Sequence, residues 1–93
     1  MSNYRNSTKI IADLLQATDQ SGHHGIKVTS LLKKANLSHS RLGKFINNLT
    51  TAGLITKIIY ENKNTFVITP SGKKYLKSYM EFSSITESFG LDL

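Results

Sequence analysis

Only three residues, Asn36, Leu37 and Ser38, separate two amphipathic segments, and this short gap constrains the fold more than any other feature of the chain. In the second segment, SHSRLGKFINNLTTAG over residues 38–53, Leu42, Phe45, Ile46 and Leu49 fall at i, i+3, i+4 and i+7, which is one face of a helix. Ser40, Gly43, Lys44, Asn47 and Thr51 project from the other face, which holds no acid and no large apolar group. Ser38 suits an N-cap, since its hydroxyl accepts from the free N–H groups of the first turn. Gly53 suits the left-handed residue that ends a helix, so the helix is expected over about residues 39–52. In the first segment Thr29 is the N-cap candidate, Leu31, Leu32 and Ala35 face inward, Lys33 and Lys34 face out, and the helix ends near Asn36. Two helices so closely joined must meet in a tight corner.

With 93 residues the chain forms one compact domain with a single modest core. Its twelve Lys and Arg against six Asp and Glu give a net charge of +6, but the distribution matters more than the total. Residues 1–26 balance Arg5 and Lys9 against Asp13 and Asp19, and residues 78–93 carry only Glu81, Glu87 and Asp92. Between Lys27 and Lys77 ten basic residues face Glu61 alone. A field so polarised attracts polyanions, and a donor-rich, acid-free helix inside it suits the edge of a nucleic acid better than it suits catalysis. The plainer alternative is a lysine-rich surface that keeps the protein in solution. There is no cysteine, which excludes a disulfide framework, a thiolate metal site and a cysteine nucleophile. The polar start MSNYRNSTK lacks the apolar core of a signal peptide, and no apolar run reaches the length of a membrane span. The expectation is a cytoplasmic, nucleoid-associated protein.

Along the chain, Ser7 and Thr8 open a helix over about residues 7–18 with Ile10, Ile11, Leu14 and Leu15 on its apolar stripe. The cluster DQSGHHG over 19–25 reads as a turn, and residues 26–28 as a brief strand. After Gly53 the period changes from helical to alternating. LITKIIYE over 54–61 and TFVIT over 65–69 are rich in β-branched and aromatic residues, with Asn62, Lys63 and Asn64 between them, which predicts a short hairpin. Phe66 and Ile68 share the face of its second strand that packs on the helices, with Val67 on the other. Thr69 then caps a last helix, with Pro70 at its first position, running to about Phe89.

The order helix, short strand, helix, turn, helix, hairpin, helix resembles the winged helix-turn-helix family. The resemblance covers nearly the whole chain and is carried above all by KKANLSHSRLGKFINNLTTAGLI and NTFVITPSGKKYL. Gly53, Leu54, Ile55, Thr69, Gly72 and Leu76 match the pattern that follows the recognition helix in that family. The chain also looks like the small basic archaeal winged-helix transcription regulators and chromatin proteins that dimerise through a C-terminal helix. The resemblance implies an α+β fold: a winged helix-turn-helix, with a three-helix core and a β-hairpin wing, over residues 1–69, and an additional C-terminal helix, the dimerisation element, over residues 70–93.

For function, the resemblance implies double-stranded DNA as partner, with the helix at 39–52 in the major groove. Ser40, Lys44 and Asn47 on its polar face are then the base-edge candidates, because Lys donates to guanine N7 and O6 and Asn pairs with adenine. Arg41 and Asn48 flank that face and, with His39 and Ser38, reach phosphates. Lys33, Lys34 and the hairpin-tip Lys63 are in positions from which the family grips the backbone, a contribution that depends on salt. A wing with one Lys and no Arg favours phosphate contact over deep minor-groove reading. The alternative for each residue is a solvated side chain on an exposed helix.

His23 and His24 suggest a metal or pH-sensing site, but adjacent side chains in a turn are poorly spaced to share an ion, and a polar turn is the simpler reading. On the last helix Tyr75, Tyr79, Phe82 and Phe89 form a two-heptad seam in which Thr86 takes the vacant apolar place, while Leu76 and Met80 point elsewhere. A monomer needs one apolar face, so the second suggests a symmetry-related copy, with Ile85 completing the candidate dimerisation set; the alternative folds both faces onto one core. No nucleophile elbow, Gly-rich phosphate loop or zinc-protease signature is present, so no enzyme activity, cofactor, metal or small-molecule ligand is expected. Three functional readings follow: a dimeric DNA-binding regulator or chromatin-like protein; a winged-helix protein-protein interaction module in a larger assembly; and a metal- or ligand-responsive repressor.

Overall fold

The computed structural model describes residues 7–90, so Arg5 and Asp92, which enter the charge balance, and most of the polar start lie outside the described residues. Helices α1 (Ser7–Gln20), α2 (Val28–Ala35) and α3 (His39–Thr51) are followed by a hairpin of β1 (Ile55–Tyr60) and β2 (Lys63–Ile68) and by helix α4 (Pro70–Ser88), with a 3₁₀ turn at Gly22–His24. The strands are antiparallel, in a register that sets Ile55 opposite Ile68 and Tyr60 opposite Lys63. The architecture is α+β, a winged helix with an additional C-terminal helix.

At the centre lies α1. Ile10, Leu14 and Leu15 are buried as the stripe predicts, but so are Ala12, Ala17 and Thr18. The helix packs on α2, α4 and β2 together, and alanines let a second neighbour come close. The Thr18 hydroxyl donates to the Leu14 carbonyl at 2.7 Å, so its burial leaves no polar group unpaired. Leu31, Ala35, Leu42, Leu49, Ile55, Phe66 and Leu76 complete the core, with Phe45 and Ile46 partly buried against it.

Two local expectations are corrected. The strand at 26–28 is a single bridge, in which Ile26 exchanges both backbone hydrogen bonds with Phe66 at 2.9 Å. That bridge holds Lys27 extended, so α2 starts at Val28 with Lys27 as its N-cap, and Thr29 is already inside the helix. The hairpin turn is also tighter than 62–64. Only Glu61 and Asn62 lie between the strands, both at positive φ (50° and 64°), as a two-residue type I′ turn requires. Lys63 is therefore a strand residue in the last pair before the turn rather than the tip itself.

The corners follow local chemistry. Asn36 takes the left-handed conformation and donates to the Leu32 carbonyl at 3.0 Å, which ends α2 and turns the chain into α3. Ser38 caps α3 by accepting from the Arg41 N–H at 3.2 Å, worth about 1 kcal/mol in such positions. Thr69 does more: it caps α4 by accepting from the Gly72 N–H at 3.0 Å and donates its hydroxyl to the Gly53 carbonyl at 2.6 Å. Its own N–H donates to the Leu54 carbonyl at 3.0 Å. The start of α4 is thus bound to the corner between α3 and β1.

Candidate nucleic-acid interface

Helix α3 buries Leu42 and Leu49 and leaves Ser40, Gly43, Lys44, Asn47 and Thr51 exposed. The polar face read from the sequence is therefore an exposed, continuous surface. Arg41 and Asn48 are exposed as well, on the side where α3 meets the start of α1, and with Lys44 and Phe45 they line a shallow cleft of about 340 Å³ against Ser7 and Ile11. His39 and Ser38 lie exposed at the N-terminal end of the helix, where unpaired N–H groups and the helix dipole favour an anion. The Ser38 oxygen is engaged as acceptor in the cap, which leaves its hydroxyl hydrogen free to donate outward.

The three remaining lysines stand on other elements. Lys33 is exposed in the last turn of α2, whereas Lys34 lines a cleft with Asp13, Gln16 and Gln20 of α1. Lys63 is exposed on the wing and lies within hydrogen-bonding reach of Lys27, which no sequence pattern linked to it. A neutral Lys27 amine can accept from the Lys63 ammonium, whereas two ammonium groups repel, and both effects hold Lys27 below the usual lysine range, with Glu61 opposing the shift. The cause of their meeting is the Ile26–Phe66 bridge. Continued by one residue it sets Lys27 opposite Thr65, diagonal to Lys63 on one face of the sheet. Glu61, the single acid of the basic segment, is near enough to Lys27 to act on its charge.

The paired histidines serve this end of the wing. His24 stacks on Tyr60 with ring centroids 4.4 Å apart, and His23 meets His24 edge-on at 4.3 Å. The His24 carbonyl accepts from the buried Thr65 hydroxyl at 2.7 Å, tying the 3₁₀ turn to β2. Among the described residues no three His, Cys, Asp or Glu side chains converge as a metal site would need. No helix of the described residues is long and apolar enough to cross a membrane.

The frame of three helices, a hairpin and a fourth helix has a counterpart in sequence, since the profile of the winged helix-turn-helix family matches residues 4–87. The chain belongs to the winged helix-turn-helix family. No curated protein sequence matches it. Among solved structures it is similar to Sso10a-2, a DNA-binding protein from Sulfolobus solfataricus, at 20% identity, with a TM-score of 0.74 over 91% of this chain and 85% of that one.

Within this winged helix, Gly43 stands out. Nothing lies within 4 Å of where its Cβ would be, and its backbone is ordinary helix, so neither packing nor conformation calls for glycine. A glycine inside a helix costs about 1 kcal/mol relative to alanine. Its position between Ser40 and Asn47 on the exposed face gives a reason: without a side chain there, the helix backbone can come closer to whatever that face meets. Gly43→Ala is expected to raise the melting temperature by about 4–8 °C and to lower affinity for duplex DNA several-fold. Thermal denaturation and a binding titration on the same samples check both signs; a gain in both would remove any contact role for Gly43.

Proposed function

We propose that this protein binds double-stranded DNA through the exposed face of α3, as a homodimer that regulates transcription or organises the duplex. The observation that carries the reading is the acid-free surface of Ser40, Lys44 and Asn47, flanked by Arg41 and Asn48, on a winged-helix frame. A face of this kind offers bidentate donors to base edges and cations to phosphates, with no carboxylate to repel either. Ser38, His39, Lys33 and Lys63 add backbone contacts at the margins, Lys27 joins Lys63 on the wing, and Lys34 acts only where the duplex reaches the α1 side. Binding alone is the mechanism, with no catalytic step. The likeness to a DNA-binding protein of the same fold agrees with this reading.

Support for a homodimer comes from α4. Tyr75 and Tyr79 are partly buried against the core of their own chain, and Thr86 is buried with its hydroxyl on the Ser83 carbonyl at 2.9 Å. Phe82 and Ile85, on the second half of the helix, are each 56% exposed, and Phe89, its C-cap, is 75% exposed. In the dimer Phe82, Ile85 and Phe89 form the seam, with Tyr75 and Tyr79 supporting it from the core side. A second copy is the simplest cover for this patch, and it sets two α3 helices about one turn of DNA apart. The same patch favours a second reading, in which a different protein covers it and the winged helix is an interaction module.

Fluorescence anisotropy with duplex DNA over a salt series, beside mass measurement in solution, tests both parts. The expected result is binding that weakens steeply with salt, by a species of twice the chain mass. Phe82→Asp is expected to return the mass to that of one chain and to weaken DNA binding at least tenfold. Absence of binding at low salt would end the DNA reading; a monomer that still binds would end the dimer.

A further inference from the structure

We propose that Ile59, on the wing, is an apolar wedge that enters the minor groove of the bound duplex and kinks it; the inference rests on the DNA-binding reading above. Ile59 is 75% exposed, the most exposed aliphatic side chain among the large hydrophobics of the described residues. It adds nothing to the core. Ile55, on the same face of β1, is buried, and Ile59 stands four residues further out, roughly 13 Å along the strand.

Its surroundings select the partner. Asn64 is directly opposite in the register, and Lys57 is the next residue on the same face of β1; both are exposed. A cation, an amide and a bare aliphatic group side by side are the chemistry of minor-groove proteins, which read the groove edges with Lys or Asn and push an apolar side chain between base steps. No acid shares this face: Glu61, in the turn, is near Lys27, whose neighbour Lys63 lies on the opposite face. Bulk protein partners would call for a wider apolar patch than one isoleucine ringed by polar groups.

Geometry supplies the approach. A helix about 10–12 Å across fills a major groove about 12 Å wide, so with α3 in that groove a hairpin beside it lies over the phosphate rim and the next minor groove. The tight turn at Glu61 and Asn62 keeps the wing too short to wrap the duplex and adds no arginine to read the groove by charge. An aliphatic insertion needs neither. It also predicts where binding is favoured, because pyrimidine–purine steps such as TA unstack most easily.

The test is a short duplex labelled at both ends for energy transfer and carrying a central TA step, titrated with the full chain. Ile59→Thr keeps a β-branched residue in an exposed strand position, so the fold is retained, while the apolar wedge is removed. The expected results are a bend of at least about 20° with the parent protein and loss of most of that bend with Ile59→Thr. Affinity falls about five- to tenfold, with the salt slope unchanged because no phosphate contact is lost. Ile59→Met restores bend and affinity. Parent-like bend and affinity in Ile59→Thr would overturn the proposal and leave DNA binding standing. So would a change in mass in solution with the bend intact, which would assign Ile59 to a contact between copies. If the parent protein does not bind the duplex at low salt, the DNA-binding reading fails first and the wedge with it.

Discussion

Replacing Arg41 and Lys44 together by alanine is expected to weaken duplex DNA binding about 100-fold and to flatten the salt dependence by about one unit of slope, the share of the phosphate-facing Arg41. Each bidentate or charge-assisted contact of this kind contributes roughly 1–3 kcal/mol, and each phosphate contact removed lowers the slope by about one. Both side chains are exposed on α3, so the loss should come without a large change in folding. A modest decrease in melting temperature is expected, because Arg41 lines the cleft that holds Phe45 and Ile11 and its stem covers apolar surface there. Lys63→Ala provides the comparison. It removes one marginal cation, so affinity should fall less and the slope by about one unit. Anisotropy titrations at several salt concentrations, with circular dichroism to confirm folding, check all of this. Unchanged affinity in the double variant would show that the α3 face is not the interface, whatever the frame suggests.

The features that could be read from the chain alone are those whose chemistry is local. Ser38 and Thr69 act as caps because a hydroxyl reaches an N–H three residues on, and Gly53 ends its helix at φ +77°. The polar face of α3 is equally local, since helical spacing alone sorts Lys44 and Asn47 from Leu42 and Leu49. What depends on partners distant in sequence was hidden. Ala12 and Ala17 carry too little apolar signal to reveal that α1 is buried by α4 as well as α2. The Glu61–Asn62 turn has no glycine to mark it, so the loop, read at 62–64, starts one residue late and ends two late. Lys27 meets Lys63 only through a backbone bridge that no periodicity encodes. Periodicity on α4 shows apolar faces but not what covers them. Tyr75 and Tyr79 fall to the protein's own core, while Phe82, Ile85 and Phe89 remain for a partner.

Gly72→Ala is expected to destabilise the fold by about 2–3 kcal/mol, the cost of overpacking a close contact, and to lower the melting temperature by roughly 10–20 °C for a domain of this size. The Cβ would fall on the backbone carbonyl oxygen of Leu54 and within 2.6 Å of the Ile68 Cγ1. A carbonyl cannot rotate away as a side-chain end can, and the Leu54 oxygen already accepts from the Thr69 N–H. Relief therefore requires α4 to lift from the corner where Thr69 binds it to Gly53, and Leu76, buried one turn further on, to leave the core. This contact also explains why Thr69, Gly72 and Leu76 occur together: the hydroxyl fixes the helix start, the glycine lets it lie against the chain leaving α3, and the leucine anchors the next turn. Through that corner the direction of α4 is set relative to α3, so in the proposed dimer the spacing of the two α3 helices depends on it. Gly43→Ala is the internal control, since helix propensity alone would make both substitutions stabilising by about 1 kcal/mol. Opposite shifts in melting temperature, up for Gly43→Ala and down for Gly72→Ala, separate propensity from packing. A Gly72→Ala protein as stable as its parent would mean that α4 does not rest on the Leu54 carbonyl, and the coupling between the C-terminal helix and the proposed DNA-facing helix would go with it.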